Sequence, residues 1–191
     1  MATISLPSAQ EESQLEVLAA LPLDLALRKA VPYLVSLSDN PAFLNEHVVP
    51  LLQEPKEEAK DWYVAYSCNG QDYSYSLQVF FWPPGSRSQI HDHTSWGAYY
   101  CVVGSVLEER YERLDDGSHP NHARLKKVWQ LSWSRDDGPS TVLPYEGGIH
   151  RVGNPSDTLA ISVHLYGPRI GEVDGRDYGL SQNYVCDRLE A

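Results

Sequence analysis

The sequence predicts a mainly β protein, a sandwich or small barrel carrying a small helical layer at its N-terminus. Three observations predict it. Apolar and polar residues alternate through the middle and end of the chain, as in strands buried on one face. Turn-forming clusters, Asp115-Asp116-Gly117, Asp136-Asp137-Gly138-Pro139 and Gly153-Asn154-Pro155, separate those runs at short intervals. The stretch from Leu15 to Leu37 is instead rich in Leu and Ala at helical spacing.

The 191 residues suffice for one sizeable core. They divide into a helical layer over residues 1–58 and a barrel with a C-terminal extension over residues 59–191. A formal charge of −11 argues against nucleic acid and anionic membrane as partners. No stretch reaches the roughly 18 apolar residues of a membrane helix. The start, Met1-Ala2-Thr3-Ile4-Ser5, has no basic leader. Three cysteines, Cys68, Cys101 and Cys186, make no close-spaced motif. Together these features point to a reducing cytoplasm.

Residues 1–13 are polar and expected to fray. Leu15, Leu18 and Leu21 line one side of a first helix, which Pro22 interrupts. A second helix is expected from Leu23 to the region of Val31-Pro32. Ser38-Asp39-Asn40-Pro41 opens a third, with Pro41 at its first position and Leu44 and Val48 turned inward, and Pro50 should end it. Strands are then expected over Tyr73 to Trp82, Gly97 to Val103, Val106 to Arg113, Ala123 to Leu131, Ser140 to Leu143 and Thr158 to Tyr166. In the first of these Tyr75, Leu77, Val79 and Phe81 share one face. Asn69-Gly70-Gln71-Asp72 reads as the turn before it. The tail from Gly167 is Gly- and Asp-rich and is expected to pack irregularly over the barrel.

The chemistry sits in Gly85-Ser86-Arg87-Ser88-Gln89-Ile90-His91-Asp92-His93. Two histidines one residue apart on an extended segment point to the same face and can grip one metal ion. Far downstream, Pro144-Tyr145-Glu146-Gly147-Gly148-Ile149-His150 supplies a third, with Asn154 four residues beyond. Three imidazoles would form a facial set with coordination positions left open.

The segment Leu159 to Tyr166 carries a second message. Period two puts Leu159, Ile161, Val163 and Leu165 on one face and Ser162, His164 and Tyr166 on the other. A hydroxyl, an imidazole and a phenol in a row suggest a proton-handling face inside a cavity. The alternative is a satisfied polar stripe on an outer sheet face. His47, His119 and His122 lack such context and read as surface residues. Cys101 reads as core. Trp82, Trp96, Trp129 and Trp133 read as barrel packing, and Glu108-Glu109-Arg110 as a solvated strand edge.

On these residues the sequence resembles the cupin superfamily. Gly85, His91, His93 and Gly104 fit its first motif, except that Gly97 stands where the usual fourth ligand is Glu. Pro144, Gly147, His150 and Asn154 fit the second, with one extra residue between Pro144 and Gly147. The missing carboxylate, the His91-Asp92-His93-Thr94 tract, the Ser162 to Tyr166 segment and Trp82 make the chain similar to thiol dioxygenases of the cysteine dioxygenase type.

The resemblance implies a single cupin (jelly-roll) β-barrel. It implies Fe(II) held by His91, His93 and His150, with Ser162, His164 and Tyr166 as the catalytic hydrogen-bond chain. The substrates would be O2 and a small thiol, such as cysteine, 3-mercaptopropionate or a relative, and the product a sulfinate. Some members carry a cysteine, crosslinked to the tyrosine, where this chain has Gly97, so no such crosslink is expected. The family holds the substrate carboxylate with an Arg or Gln near the first strand. Tyr63-Val64-Ala65-Tyr66 offers neither, leaving Arg169, Arg176, Gln78 or Arg87 as substitutes. The competing functions are a non-catalytic cupin that binds a small ligand and a cupin enzyme using another metal.

Overall fold

A computed structural model describes residues 9–53, 59–171 and 173–188. Among the described residues, eleven strands form two antiparallel sheets. They are β1 (Tyr63–Asn69), β2 (Ser76–Trp82), β3 (Ile90–His91), β4 (Gly97–Val103), β5 (Ser105–Arg113), β6 (Leu125–Ser134), β7 (Ser140–Val142), β8 (His150–Gly153), β9 (Ala160–Tyr166), β10 (Gly175–Gly179) and β11 (Tyr184–Arg188). One sheet runs β1-β2-β9-β4-β7 and the other β11-β10-β3-β8-β5-β6.

Side-chain alternation separates the two faces of the five-stranded sheet. Leu77, Val79 and Phe81 of β2, Ala98 and Tyr100 of β4, and Ile161, Val163 and Leu165 of β9 point outward into a cluster shared with the helices. The helices are α1 (Ala9–Ala19) and α2 (Leu23–Ser38), followed by a third run. In α2 the buried residues Ala26, Ala30, Leu34 and Ser38 fall at spacing four, a single stripe laid on the sheet. Burying Leu34 completely is worth about 1.5–3 kcal/mol. On the opposite face of the sheet, Phe80, Trp82, Tyr99 and Cys101 pack toward Val106 and Val152 of the second sheet.

Several expectations change. The helix runs through Pro32, which is exposed, because Ala30 and Leu34 on its other side stay packed. The third helix does not stop at Pro50. It widens to a π-helical turn over Leu44–Val48 and resumes as α-helix over Val49–Gln53. Residues 1–8 lie outside the described residues, and from Ala9 the chain is already helical. His47 is not a free surface residue: its ring packs 4.9 Å from Phe43 and 3.9 Å from Tyr66. The C-terminal tail is not irregular, since β10 and β11 form a hairpin that adds to β3. Trp82 and Trp96 are buried, but Trp129 lies exposed on β6, where the guanidinium of Arg110 covers it at 5.2 Å. Trp133 packs beside it with its ring tilted by 46° and is half-buried.

Gly104 joins β4 to β5 with φ of 66°, and a Cβ there would stand 2.5 Å from the Leu159 carbonyl oxygen. No other residue type fits that corner without movement. No helix among the described residues is long and apolar enough to cross a membrane.

Candidate metal centre

The two histidine motifs meet because β3 pairs with β8, His91 opposite His150. His93 follows two residues later, just past the end of β3. The ring nitrogens of His91, His93 and His150 all lie within 4.8 Å of one another. Nε2 of His93 and Nε2 of His150 stand 3.4 Å apart. The motif residues around them do structural work. The backbone N–H of Gly85 bonds the Asn154 carbonyl at 2.7 Å, and Asn154 Nδ2 donates to Trp82 O at 2.9 Å. The Tyr145 N–H donates to the His93 carbonyl at 2.6 Å, joining the loops of the two motifs.

Hydrogen bonds set the imidazoles. His91 Nδ1 lies 2.9 Å from the Gln89 carbonyl, which can only accept, so Nδ1 carries the proton. His150 Nδ1 lies 3.1 Å from Glu108 Oε1 and donates to it likewise. Both rings therefore turn an unprotonated Nε2 toward the common point. Neutral nitrogen donors at this spacing suit a divalent transition metal.

Glu108 and Asp92 escaped the sequence reading. Glu108 is fully buried, not a solvated strand edge, and Glu109 is nearly so. Burial pushes the Glu108 carboxyl up, but its hydrogen bond with His150 and the charge of Arg110 outweigh it and hold it at about 2. The signal was available: alternation from the buried Val106 puts Glu108 and Arg110 on the same inward face of β5. Asp92, between the two histidines, is also fully buried. It accepts from Arg176 Nε at 2.9 Å and from the Tyr178 hydroxyl at 2.7 Å. Arg176 is thus occupied in tying the C-terminal hairpin to the histidine strand, and it does not line the cavity described below.

On β9 the polar face turns inward. Trp82 Nε1 donates to Ser162 Oγ at 2.8 Å, Ser162 Oγ lies 2.8 Å from His164 Nε2, and His164 Nδ1 lies 3.0 Å from the Tyr166 hydroxyl. Burial lowers the His164 imidazole to about 3, so the ring is neutral. The proton directions follow. An indole N–H can only donate. Ser162 is fully buried, and its one remaining good acceptor is His164 Nε2, so its hydroxyl donates there. His164 must then carry its proton on Nδ1 and donate to Tyr166. The Tyr166 proton is directed away from His164, on the side where Tyr166 lines the cavity. The Tyr166 ring sits 4.8 Å from that of His93.

The cavity holds about 480 Å³. Trp62, Phe80 and Trp82 form an aromatic wall beside the histidines, their rings 5.5–5.7 Å apart. Arg169 and Gln78 line it as well, the Arg169 guanidinium lying 5.1 Å from the Tyr73 ring. Arg87 lies instead on a separate outer groove with Arg151 and Glu109. Gly97 pairs with Tyr166, and a Cβ there would stand 3.0 Å from the tyrosine ring.

The family model described as cysteine dioxygenase type I matches residues 57–177, well over half of the chain. The chain belongs to the cysteine dioxygenase type I family. The two antiparallel sheets agree with the barrel expected for that family. Among solved structures, a cupin 2 conserved barrel domain protein from Salinispora arenicola CNS-205 is 15% identical, with a TM-score of 0.37, covering 56% of this chain and 73% of that one. The cupin domain of Schizosaccharomyces pombe Cnp3 is 10% identical, with a TM-score of 0.41, covering 54% and 59%. Oxalate decarboxylase from Bacillus subtilis is 19% identical, with a TM-score of 0.42, covering 62% and 28%. Family membership makes the chain a cysteine dioxygenase-type protein, and the three histidines are consistent with a metal cofactor.

Proposed function

We propose that this protein is a thiol dioxygenase that holds ferrous iron on His91, His93 and His150 and converts a small thiol to its sulfinate. The observation that carries the reading is the meeting, in one cavity, of three histidines and the Tyr166 hydroxyl at the end of a fixed hydrogen-bond chain. When bound, ferrous iron would supply the redox chemistry that adds both atoms of O2 to a thiolate sulfur.

The chain's own groups do the rest. His91 and His150, held by Gln89 and Glu108, keep their Nε2 lone pairs aimed at one point. The Tyr166 hydroxyl, fixed through His164 and Ser162, offers a proton or hydrogen bond to oxygen beside the histidines. The aromatic wall excludes water and shields the reacting sulfur. Arg169, on the cavity lining, is our candidate for the substrate carboxylate, with Gln78 second. Arg176 is set aside because Asp92 engages it. Cysteine and 3-mercaptopropionate head the substrate candidates. Three free cysteines fit a reducing compartment, and we place the protein in the cytoplasm.

An oxygen electrode tests the reading. Iron-loaded protein should consume O2 with one or more of cysteine, 3-mercaptopropionate and cysteamine, and mass spectrometry should find the sulfinate. Full iron loading with no uptake across that panel overturns it.

A further inference from the structure

We propose that Glu108 is a positioning residue of the metal centre, locking His150 in the orientation and tautomer that a metal needs. The proposal rests on the reading that the three histidines hold a metal, and not on which thiol reacts.

Strand register brings the two residues together. Arg110 of β5 stands opposite His150 of β8, and Glu108 stands opposite Val152. Glu108 is therefore a diagonal neighbour of His150 on the inward face. Its Oε1 accepts from His150 Nδ1 at 3.1 Å and from Arg110 Nε at 3.1 Å. Its Oε2 accepts from Ser140 Oγ at 2.9 Å, Trp133 Nε1 at 3.1 Å and Arg110 Nη2 at 3.3 Å. A carboxylate offers about four lone-pair sites. All of them are taken, so the group cannot swing toward the histidine cluster as a ligand. Arg110 is itself anchored on the Thr141 carbonyl at 2.6 Å. The carboxylate thus ties β5, β6, β7 and β8 together and points a fixed acceptor at one imidazole N–H.

That acceptor has two chemical effects. A flipped or tautomerised His150 would break its bond to a fully buried anion, so the ring stays put. A carboxylate behind the Nδ1–H also makes the opposite nitrogen a better donor to a cation. Cupins usually place a Glu among the ligands themselves. Here that slot is Gly97, and the acid stands behind a histidine instead.

Cobalt(II) and zinc(II) serve as probes. Glu108→Gln should weaken Co(II) binding by about ten- to a hundredfold in a competition titration. It should also change the cobalt absorption spectrum. Trp133→Phe removes a donor to Oε2 without touching the His150 bond, and should leave the affinity within about twofold. Nitrogen NMR on the Zn(II)-loaded parent should find His150 protonated at Nδ1, a measurement independent of whether any variant folds. A folded Glu108→Gln protein that binds Co(II) like the parent overturns the proposal. So does equal weakening in Trp133→Phe, which would mark a packing role, or a His150 proton on Nε2. A parent that binds neither ion overturns both this proposal and the three-histidine reading.

Discussion

Strand β9 has two faces that are almost equally buried and differently employed. Ile161, Val163 and Leu165 are wholly buried against the helices, where any well-packed aliphatic set would serve. Ser162 and His164 on the other face are as deeply buried but polar, and each is spoken for by a directed hydrogen bond. Desolvating a serine and a histidine is unfavourable, and the bonds from Trp82 and to Tyr166 only offset it. Burial on the outer face produces stability. Burial on the inner face produces direction: a neutral His164 with one allowed proton arrangement. The separation predicts that the two faces can be broken independently.

The largest effect should come from His91→Ala. It should abolish metal retention and thiol-dependent O2 uptake while leaving the circular-dichroism spectrum of the fold intact. Collapse of the fold instead would mean that the inner face carries stability too. Tyr166→Phe removes one oxygen atom, and kcat should fall by at least about a hundredfold, with metal affinity unchanged. An equal loss of metal would contradict the separation. On the outer face, Ile161→Ala should cost about 2–5 kcal/mol in urea unfolding while the protein still binds metal.

The smallest effect is a pH dependence. Burial depresses the folded His164 to about 3, whereas the unfolded ring titrates at its ordinary 6.5. Between those values the unfolded chain binds the extra proton, so stability falls as pH falls, by up to about 1.4 kcal/mol per unit. Urea midpoints of metal-free parent and His164→Gln, compared from pH 6.5 downward, should converge as acid is added. Glu108 enters only below its ordinary 4.5, where protonating the unfolded carboxyl removes stability as pH approaches 2. Parallel pH curves for the two proteins would mean that His164 is not held neutral by burial.

Much of this was legible in the residues. The alternation of β9 named both of its faces, because a strand's side chains obey period two whatever surrounds them. The close spacing of His91 and His93 named them as partners at one site, where their ring nitrogens do meet, although β3 ends at His91. The turn at Asn69-Gly70-Gln71-Asp72 and the helix start with Pro41 in its first turn were local chemistry; the structure adds that Asn40 is the residue that caps it, its side chain accepting from the Ala42 N–H. What was missed depended on distant partners. Glu108-Glu109-Arg110 looked like a solvated edge because charge is normally solvated, and only Ser140, Trp133 and His150 from other strands make its burial tolerable. Arg176 looked available until Asp92 was found beside it. The C-terminal tail looked shapeless because its hairpin is stabilised by pairing with β3.

The sequence by itself determined the strands β2, β4, β5, β6, β7 and β9, the two faces of β2 and β9, and the histidines able to hold a metal, since these follow from periodicity and side-chain chemistry. Only the tertiary structure decided which charges are buried, which cation faces the cavity and which proton each imidazole carries. Those depend on the hydrogen-bond partners that register brings across the barrel, and no local stretch of chain encodes them.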